Sequence, residues 1–364
     1  MKKILVTGGP VHAYLDSVKI ITNRFKGGLI ADLVNKLLAN DVSISYVYPA
    51  SLDVKKPNLH ENLILRGHNG FDDYKRIVLE LAPQMDAVIL GAAVANLIPL
   101  NPIKGKFPSH NYKPGDVIPI DFTIAPRVID EIKKVAPRTH VFGFKLLSDV
   151  THEELIRAAY EIVLDSGATA VFANDTADLK QKYAVTKERG VHPLTQDNLA
   201  GWIWEMINDT YYQTLLFESR FVPSESRFRL EGIIERYQDH FTTVENGMIF
   251  GTVAVRCGNG FLTTGRGKRE LNDIVHIVDV DHDKRWVIVA GSRKASLNAP
   301  LLGRIFENPE VDYVVHYHEQ EAGLLTSSYA PPGTVRDTNR PNHTSFNIKE
   351  HGCMLMFDKN SRRL

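Results

Sequence analysis

Lys3-Ile4-Leu5-Val6-Thr7-Gly8-Gly9-Pro10 opens the chain, and Asp16-Ser17-Val18-Lys19-Ile20-Ile21-Thr22-Asn23-Arg24-Phe25-Lys26-Gly27-Gly28 follows closely. A short apolar run breaks into glycines, and a second glycine pair opens an apolar-periodic segment from Leu29 to Leu38. In this pattern a buried strand hands the chain to a helix N-terminus, whose unpaired N–H groups and dipole favour phosphate. Nucleotide or phosphoester binding is therefore the first expectation.

Downstream, strand-like and helix-like runs alternate to about residue 210: Ile4–Thr7, Leu29–Leu38, Val42–Tyr48, Tyr74–Leu81 and Ala87–Leu90, then Val128–Val135, Val141–Phe144, Glu153–Leu164, Ala170–Ala173 and Leu199–Ile207. Alternation of this kind predicts an α/β domain over residues 1–208, a doubly wound Rossmann-like parallel sheet with ligands at the carboxyl ends of its strands. Two stretches, Asn96–Ile118 and Asp175–Gln196, look irregular and are rich in proline, lysine and polar residues. Loops of that length in a compact domain are usually lids, binding loops or subunit contacts.

The pattern changes after Thr210. Phe221–Leu230 carries charges at alternate positions and Glu231–Phe241 is helix-like; short apolar runs follow at Met248–Arg256, Phe261–Thr264, Ile274–Val280, Trp286–Val289, Tyr313–His316 and Met354–Phe357, with a helical Pro300–Phe306 among them. Such a succession predicts an α+β domain on an antiparallel sheet over residues 225–364, joined by a linker at 209–224.

At 364 residues the chain exceeds what one core usually supports, in keeping with two domains. Lys+Arg 43 balances Asp+Glu 43, so no global field holds nucleic acid or an anionic membrane, and small-molecule substrates are expected. The two cysteines, Cys257 and Cys353, lack CxxC spacing and read as core residues of a reduced, cytoplasmic protein. No apolar run approaches the roughly 18 residues of a membrane span.

The chemistry-bearing residues of the first half come in series: Gly8-Gly9, Asp16 with Lys19, Asn23, Gly27-Gly28, Ala92-Ala93 with Asn96, Lys104-Gly105-Lys106, Phe144-Lys145 and Asn174-Asp175. Small residues at strand ends let main-chain N–H groups approach phosphate oxygens, and two lysines on a loop can close over a polyphosphate. Taken singly, the glycine pairs could be tight turns, the lysines a solvated loop and Phe144 a core residue.

The order of these segments resembles the synthetase domain of the phosphopantothenoylcysteine synthetase family over residues 1–208. Asp16-Ser17-Val18-Lys19 running to Thr22-Asn23 is similar to its Asp-Pro-Val-Arg segment. Ala92-Ala93-Val94-Ala95-Asn96-Leu97 is similar to its Ala-Ala-Val-Ala-Asp-Tyr turn, Gly143-Phe144-Lys145-Leu146-Leu147 to its Gly-Phe-Lys strand end, and Ala173-Asn174-Asp175 to its closing Ala-Asn-Asp. The resemblance implies a ligase that activates a phosphorylated carboxylic acid with CTP or ATP and Mg²⁺ and joins it to an amino acid, most simply phosphopantothenate to cysteine, in coenzyme A biosynthesis. It further implies that Asn23 orients the acyl group, that Lys104 and Lys106 clamp phosphates, that Phe144 borders the nucleotide, and that the protein is a homo-oligomer. Phe25-Lys26 replaces the family's serine pair and Asn96 its aspartate, so the acid or nucleotide can differ. With no flavin-binding decarboxylase segment ahead of residue 1, that partner activity of the fused bacterial enzymes is not expected here.

In the second half, His316-Tyr317-His318 ends an apolar run and His351-Gly352 lies further on. Alternate strand residues share a face, so two imidazoles can converge on one metal with a third arriving from elsewhere. Residues 225–360 resemble the class II aldolase and adducin family through Asp273-Ile274-Val275, Asn308-Pro309-Glu310-Val311, the histidine pair, Pro332-Gly333-Thr334 and Glu350-His351-Gly352. The resemblance implies Zn²⁺ on His316, His318 and His351, stabilising an enediolate. The family's Ser-Ser-Glu reads Ser296-Leu297-Asn298, and an amide is no general base near neutral pH. Gly251-Thr252-Val253-Ala254 stands where the family has Gly-Asn-Ile-Ser, while Thr264 and Gly265 keep a phosphate-loop position beside Arg266 and Lys268. His12, His110, His140, His152 and His343 read as surface or lid residues. Two other readings stay open: a bifunctional enzyme of secondary metabolism acting on another phosphorylated acid, and a non-catalytic adducin-like interaction protein.

Overall fold

Lys2–Thr7 lies in the middle of an eight-stranded sheet, flanked by Val42–Pro49 and Ala87–Leu90. The computed structural model describes residues 1–217, 224–244 and 246–364, which divide into two units, Met1–Ile207 and Asn208–Leu364. From one edge the first sheet runs Val191–Leu194, Asp178–Thr186, Ala170–Asp175, His140–Leu147, Ala87–Leu90, Lys2–Thr7, Val42–Pro49, Leu63–His68. The last six of these are mutually parallel. Sheet order reverses between Lys2–Thr7 and Ala87–Leu90, and at such a switch point the loops diverge and leave a crevice. Ile4, Leu5 and Val6 are fully buried, as a central parallel strand covered on both faces requires.

Two helices of this unit begin differently. His152–Ser166 starts with a capping box, Thr151 accepting from the Glu154 amide at 3.2 Å while Glu154 accepts from the Thr151 amide at 2.8 Å. Gly28–Leu37 starts at Gly27, with no side-chain cap and no acidic residue in its first turn. Its leading N–H groups are left to other partners.

Two expectations for this unit need correction. Asp175–Gln196 is not an irregular lid: Asp178–Thr186 and Val191–Leu194 form an antiparallel hairpin that extends the sheet. Its inward alternation is masked by Lys182, which is buried and donates from Nζ to the Leu179 carbonyl at 2.6 Å. Leu63–His68, which carries no clean alternation and is only partly buried, is an additional edge strand. Within Asn96–Ile118 only Leu97–Pro99, paired with Phe122–Ile124, and a short turn at Ser109–Asn111 are regular.

The second unit is built on a nine-stranded sheet: Gln213–Phe217, Trp286–Ala290, Ile274–Asp281, Gly260–Thr264, Thr252–Cys257, Tyr313–Tyr317, Gly352–Phe357, Phe346–Ile348, Thr326–Ser327. Pairing is antiparallel except at the two edges. Alternation sorts the side chains into two cores. Ala254, Val314, Met354 and Met356 pack with Leu301, Leu302 and Ile305 of the Ala299–Phe306 helix. Val253, Val255, Val315 and Leu355 pack with Leu230, Ile233 and Ile234 of the Ser224–Tyr237 helix.

Here too the sequence reading is revised. Gln213–Phe217, assigned above to a linker, is a strand that pairs with Trp286–Ala290 through its Thr-Leu-Leu-Phe run. Residues 218–223, and with them the start of the Phe221–Leu230 run, lie outside the described residues. Residues 224–230 are helical, because Leu230, Ile233 and Ile234 turn inward at helical spacing while Arg227 pairs with Glu231 at 2.9 Å on the outer side. Met248–Arg256 breaks at Gly251, whose φ of 115° no ordinary strand residue adopts. Among the described residues no helix is long and apolar enough to cross a membrane.

Candidate functional site

Beyond Thr7 the first strand turns through Gly8 and Gly9, the Gly8 amide donating to the Val47 carbonyl at 3.0 Å. Gly9 and Gly27 both have positive φ, at 78° and 80°. A Cβ on Gly27 would stand 2.7 Å from the Gly9 nitrogen and 3.0 Å from its Cα, and one on Gly8 would stand 2.1 Å from the Tyr46 hydroxyl. The two glycine turns therefore touch backbone to backbone beside the uncapped start of Gly28–Leu37, a run of main chain at the positive end of a helix dipole. The Lys55 side chain passes 3.3 Å from where a Gly28 Cβ would be, and its amide donates to the Lys26 carbonyl at 2.9 Å. Motif reading misses this cation, because the polar stretch around it has no periodicity to mark it.

Ala92 and Ala93 follow the neighbouring strand and close the other side. The Ala92 amide donates to Thr7 Oγ1 at 3.2 Å, the Ala93 amide to the Gly9 carbonyl at 2.9 Å, and Asn23 Nδ2 to the Ala93 carbonyl at 3.0 Å. Pro10–Val11 pairs with Ala93–Val94 as a short parallel ribbon. Gly8, Gly9, Asn23, Gly27, Gly28, Ala92 and Ala93 are thus brought together. The alanine amides are engaged inside the protein, so these residues shape the cradle instead of offering it donors.

Lys104 and Lys106 are exposed on either side of Gly105, at the tip of a loop held by Asp16. The buried Asp16 carboxylate accepts from the amides of Lys19 at 2.5 Å, Val18 at 2.7 Å and Phe107 at 2.9 Å, and from Lys19 Nζ at 3.1 Å. The Lys19 and Phe107 amides, more than any other cause, hold its carboxyl well below the usual carboxylate range. Ser17 donates to the Gly105 carbonyl at 3.0 Å and Ile103 to the Leu15 carbonyl at 2.9 Å, so the lysine loop is fastened to the Asp16 turn at three points.

The remaining first-unit residues stand further along the sheet. Phe144 and Lys145 lie near the end of His140–Leu147, two strands from Lys2–Thr7, and Asn174 and Asp175 end the strand beyond that. At about 4.8 Å per strand they sit roughly 10 and 14 Å from the glycine turns in the sheet direction. The Phe144 ring packs 5.0 Å from that of Phe172, Asn174 is buried, and Asp175 turns the chain by accepting from the Ala177 amide at 2.8 Å. Asn96 is exposed at the base of the Leu97–Pro99 arm, its carbonyl accepting from the Ala125 amide at 2.8 Å.

One sequence expectation fails outright in this region. His12, read as a surface or lid residue, is 1 % exposed, because the turn that carries it folds inward against His68, itself fully buried.

In the second unit His316, His318 and His351 converge, each offering a ring nitrogen within 4.8 Å of the others. Gly352 makes this possible: at φ 103° its Cα passes so close to Tyr317–His318 that a Cβ would stand 1.9 Å from the Tyr317 carbonyl oxygen. His316 Nδ1 lies 2.8 Å from the Cys353 carbonyl, which leaves Nε2 without a hydrogen bond and turned to the cluster. Burial, before the nearby charges of Lys268 and Arg340, pushes the His316 imidazole down to about 4. Thr252 pairs with His316 across the strands and joins Ser296 at 3.0 Å and Asn298 Nδ2 at 3.3 Å. Lys268 is buried, donates to the Gly251 carbonyl, and is pushed down to about 8 by its burial.

Residues 1–200 match the family described as DNA/pantothenate metabolism flavoprotein C-terminal domain. The coenzyme A biosynthesis bifunctional protein CoaBC of Thermococcus kodakarensis is 27% identical over 174 residues, 48% of this chain and 41% of that protein, so the chain spans less than half of that relative. The crystal structure of the DNA/pantothenate metabolism flavoprotein from Streptococcus pneumoniae is 25% identical, covers 57% of this chain and 98% of its own, and superposes with a TM-score of 0.50. A variant of Cab2, 16% identical over 56% of this chain and 85% of its own, shares the fold at a TM-score of 0.50. The switch-point cradle is thus found in a chain that belongs, through its first 200 residues, to the DNA/pantothenate metabolism flavoprotein C-terminal domain family.

Proposed function

We propose that the first unit is a nucleotide-dependent carboxylate–amine ligase of the phosphopantothenate–cysteine type, using CTP or ATP with Mg²⁺. The observation that carries the reading is the contact of the Gly9 and Gly27 turns at an uncapped helix N-terminus on the switch point, with Asn23 tied to Ala93 beside them. The acid's carboxylate attacks the α-phosphate, expelling pyrophosphate; the amine then attacks the acyl carbon, expelling the nucleoside monophosphate and a proton. Charge builds first on pyrophosphate and then on the tetrahedral oxyanion, where fixed donors act most strongly. The helix N–H groups, Lys55, Lys104 and Lys106 answer the first, and Asn23 the second. A magnesium ion arriving with the nucleotide would neutralise part of the polyphosphate charge. Exposed Leu97, Leu100, Phe122 and Ile124 on the arm support a homo-oligomer that covers them.

For the second unit we propose a class II aldolase-like domain whose His316, His318 and His351 hold zinc. Three converging imidazoles, one held through Nδ1 by a carbonyl, suit that metal, which when bound would polarise a carbonyl oxygen. Asn298 can supply no base, so retro-aldol cleavage is not assigned. A second reading of the first unit, a ligase for another phosphorylated acid, is favoured at Phe25-Lys26: the Arg24 guanidinium lies 5.4 Å from the Phe25 ring and Lys26 reaches Asp53 at 3.5 Å, where the family has hydroxyls.

The test is pyrophosphate release by the full chain with CTP or ATP, 4′-phosphopantothenate and cysteine. Turnover requiring both acid and amine, with Asn23→Ala stalling at the acyl nucleotidylate, is expected. Release only with other phosphorylated acids promotes the second reading, and none with any nucleotide overturns both.

A further inference from the structure

His12 and His68 form a buried pair that no ligand role uses. They are 1 % and 0 % exposed, and their rings stack with centroids 6.4 Å apart. Neither nitrogen of His12 has a hydrogen-bond partner, and the His68 ring makes no hydrogen bond of ordinary geometry. Imidazoles this deeply buried, with no carboxylate bonded to either ring, favour the neutral form. The groups facing them supply little compensation. Tyr14 meets His12 edge-on at 4.9 Å and Tyr74 meets His68 at 5.4 Å. Asp73, across the Gly70 turn, already accepts from the Asn69 amide at 2.9 Å and pairs with Arg76 at 2.5 Å. Arg66 stands two residues before His68 on the same strand, and so on the same face of it.

The pair is wired to the cradle on both sides. His12 directly follows the Pro10–Val11 ribbon that pairs with Ala93–Val94. His68 packs on Tyr74, whose hydroxyl lies 3.4 Å from Thr7 Oγ1, the atom that receives the Ala92 amide. Gly70, with φ 89°, lets the chain after His68 approach His12 and Tyr14: a Cβ there would come 3.4 Å from the His12 carbonyl and 3.3 Å from the Tyr14 ring.

We propose that His12 and His68 are positioning residues for the ligand cradle, a latch that holds the Gly8–Ala13 and Ala92–Ala93 turns together while both rings are neutral and releases them when the rings take up protons. Burial above all, with His12's charge adding and Asp73 and the Gly70 main chain opposing, pushes His68 down to about 4, and burial lowers His12 as well. The folded state thus binds fewer protons than the opened one. The contribution is complete above about 6.5, the ordinary value, and is lost as pH falls from there through about 4. From His68 alone, the closed-to-open ratio drops about 30-fold between pH 7.5 and 5.

Hydrogen exchange on the full chain tests this, with rates corrected for intrinsic exchange. Protection of residues 6–14 and 87–95 should fall at least about 30-fold from pH 7.5 to 5 in the natural protein, and about 30-fold less than that in His68→Phe, which keeps a ring but leaves only His12 to titrate. Equal falls in both proteins, or none in the natural one, overturn the proposal. NMR titration of labelled histidine in the natural protein is a second arm that needs no variant: a folded-state pKa near 6.5 for either buried ring also overturns it. The latch shapes a cradle whose ligand rests on the ligase reading, and added nucleotide separates the two. At pH 7.5, CTP or ATP with Mg²⁺ should raise protection of the same segments; failure of both to do so sinks the ligase reading and leaves the latch standing.

Discussion

The cradle of the first unit is built from main chain, and the cluster of the second from side chains. Gly9 and Gly27 matter because they lack a Cβ, whereas His316, His318 and His351 matter for the nitrogens at their tips. A main-chain site tolerates no added bulk, while its N–H donors survive most side-chain substitutions. A side-chain site is the reverse, yet it too depends on one glycine, Gly352, whose missing Cβ lets the ends of two paired strands lie closely enough for the imidazoles to meet.

The largest expected effect breaks the first half of that contrast. Gly27→Val places branched carbon against the Gly9 backbone at a positive φ, and pyrophosphate release should fall at least about 100-fold, from a barrier increase of about 3 kcal/mol. Retention of more than a tenth of the natural rate would show that the glycine contact is not the site. Next, His351→Ala should weaken zinc binding by about 100-fold or more, read by metal analysis after dialysis against a competing chelator, while pyrophosphate release stays unchanged. Unaltered metal content would dissolve the cluster as a centre.

Asp16→Asn sharpens the picture of the lysine loop. Its amide keeps acceptor capacity on one side only, so nucleotide KM should rise about tenfold, a loss of about 1.4 kcal/mol. Because the Asp16 carboxyl is held below its ordinary 3.8, its stabilising contribution is present above that value and is lost as pH falls below it. The melting temperatures of the two proteins should therefore converge in strong acid; a constant gap would assign the loss to packing alone. Smallest is Lys55→Ala, a several-fold weakening of nucleotide binding that fades with added salt, as an exposed cation beside phosphate must.

The cradle was largely legible in the amino-acid order, because glycine at a strand end or helix start says what the backbone does there. Lys55 and Asp16's hold on Phe107 were not legible as contacts, since each joins loops far apart in sequence. The hairpin at Asp178–Leu194 was hidden by a buried lysine, whose charge reads as solvated until the Leu179 carbonyl is seen to receive it. His12 was misplaced for a related reason. A lone polar residue in a short turn carries no periodicity, and only His68, 56 positions later, shows which way that turn folds.

By itself the sequence determined what is local: the strand that ends at Thr7, the helix that begins after Gly27, the alternation that makes one half parallel and the other antiparallel. Backbone preference and apolar period act over a few residues, and a linear pattern displays them. Only the tertiary structure decided that Gly9 touches Gly27, that Asp16 fastens the lysine loop, that His351 meets His316, and that His12 is sealed against His68. Those contacts depend on crossovers and strand register, which bring distant residues together through the packing of the whole sheet.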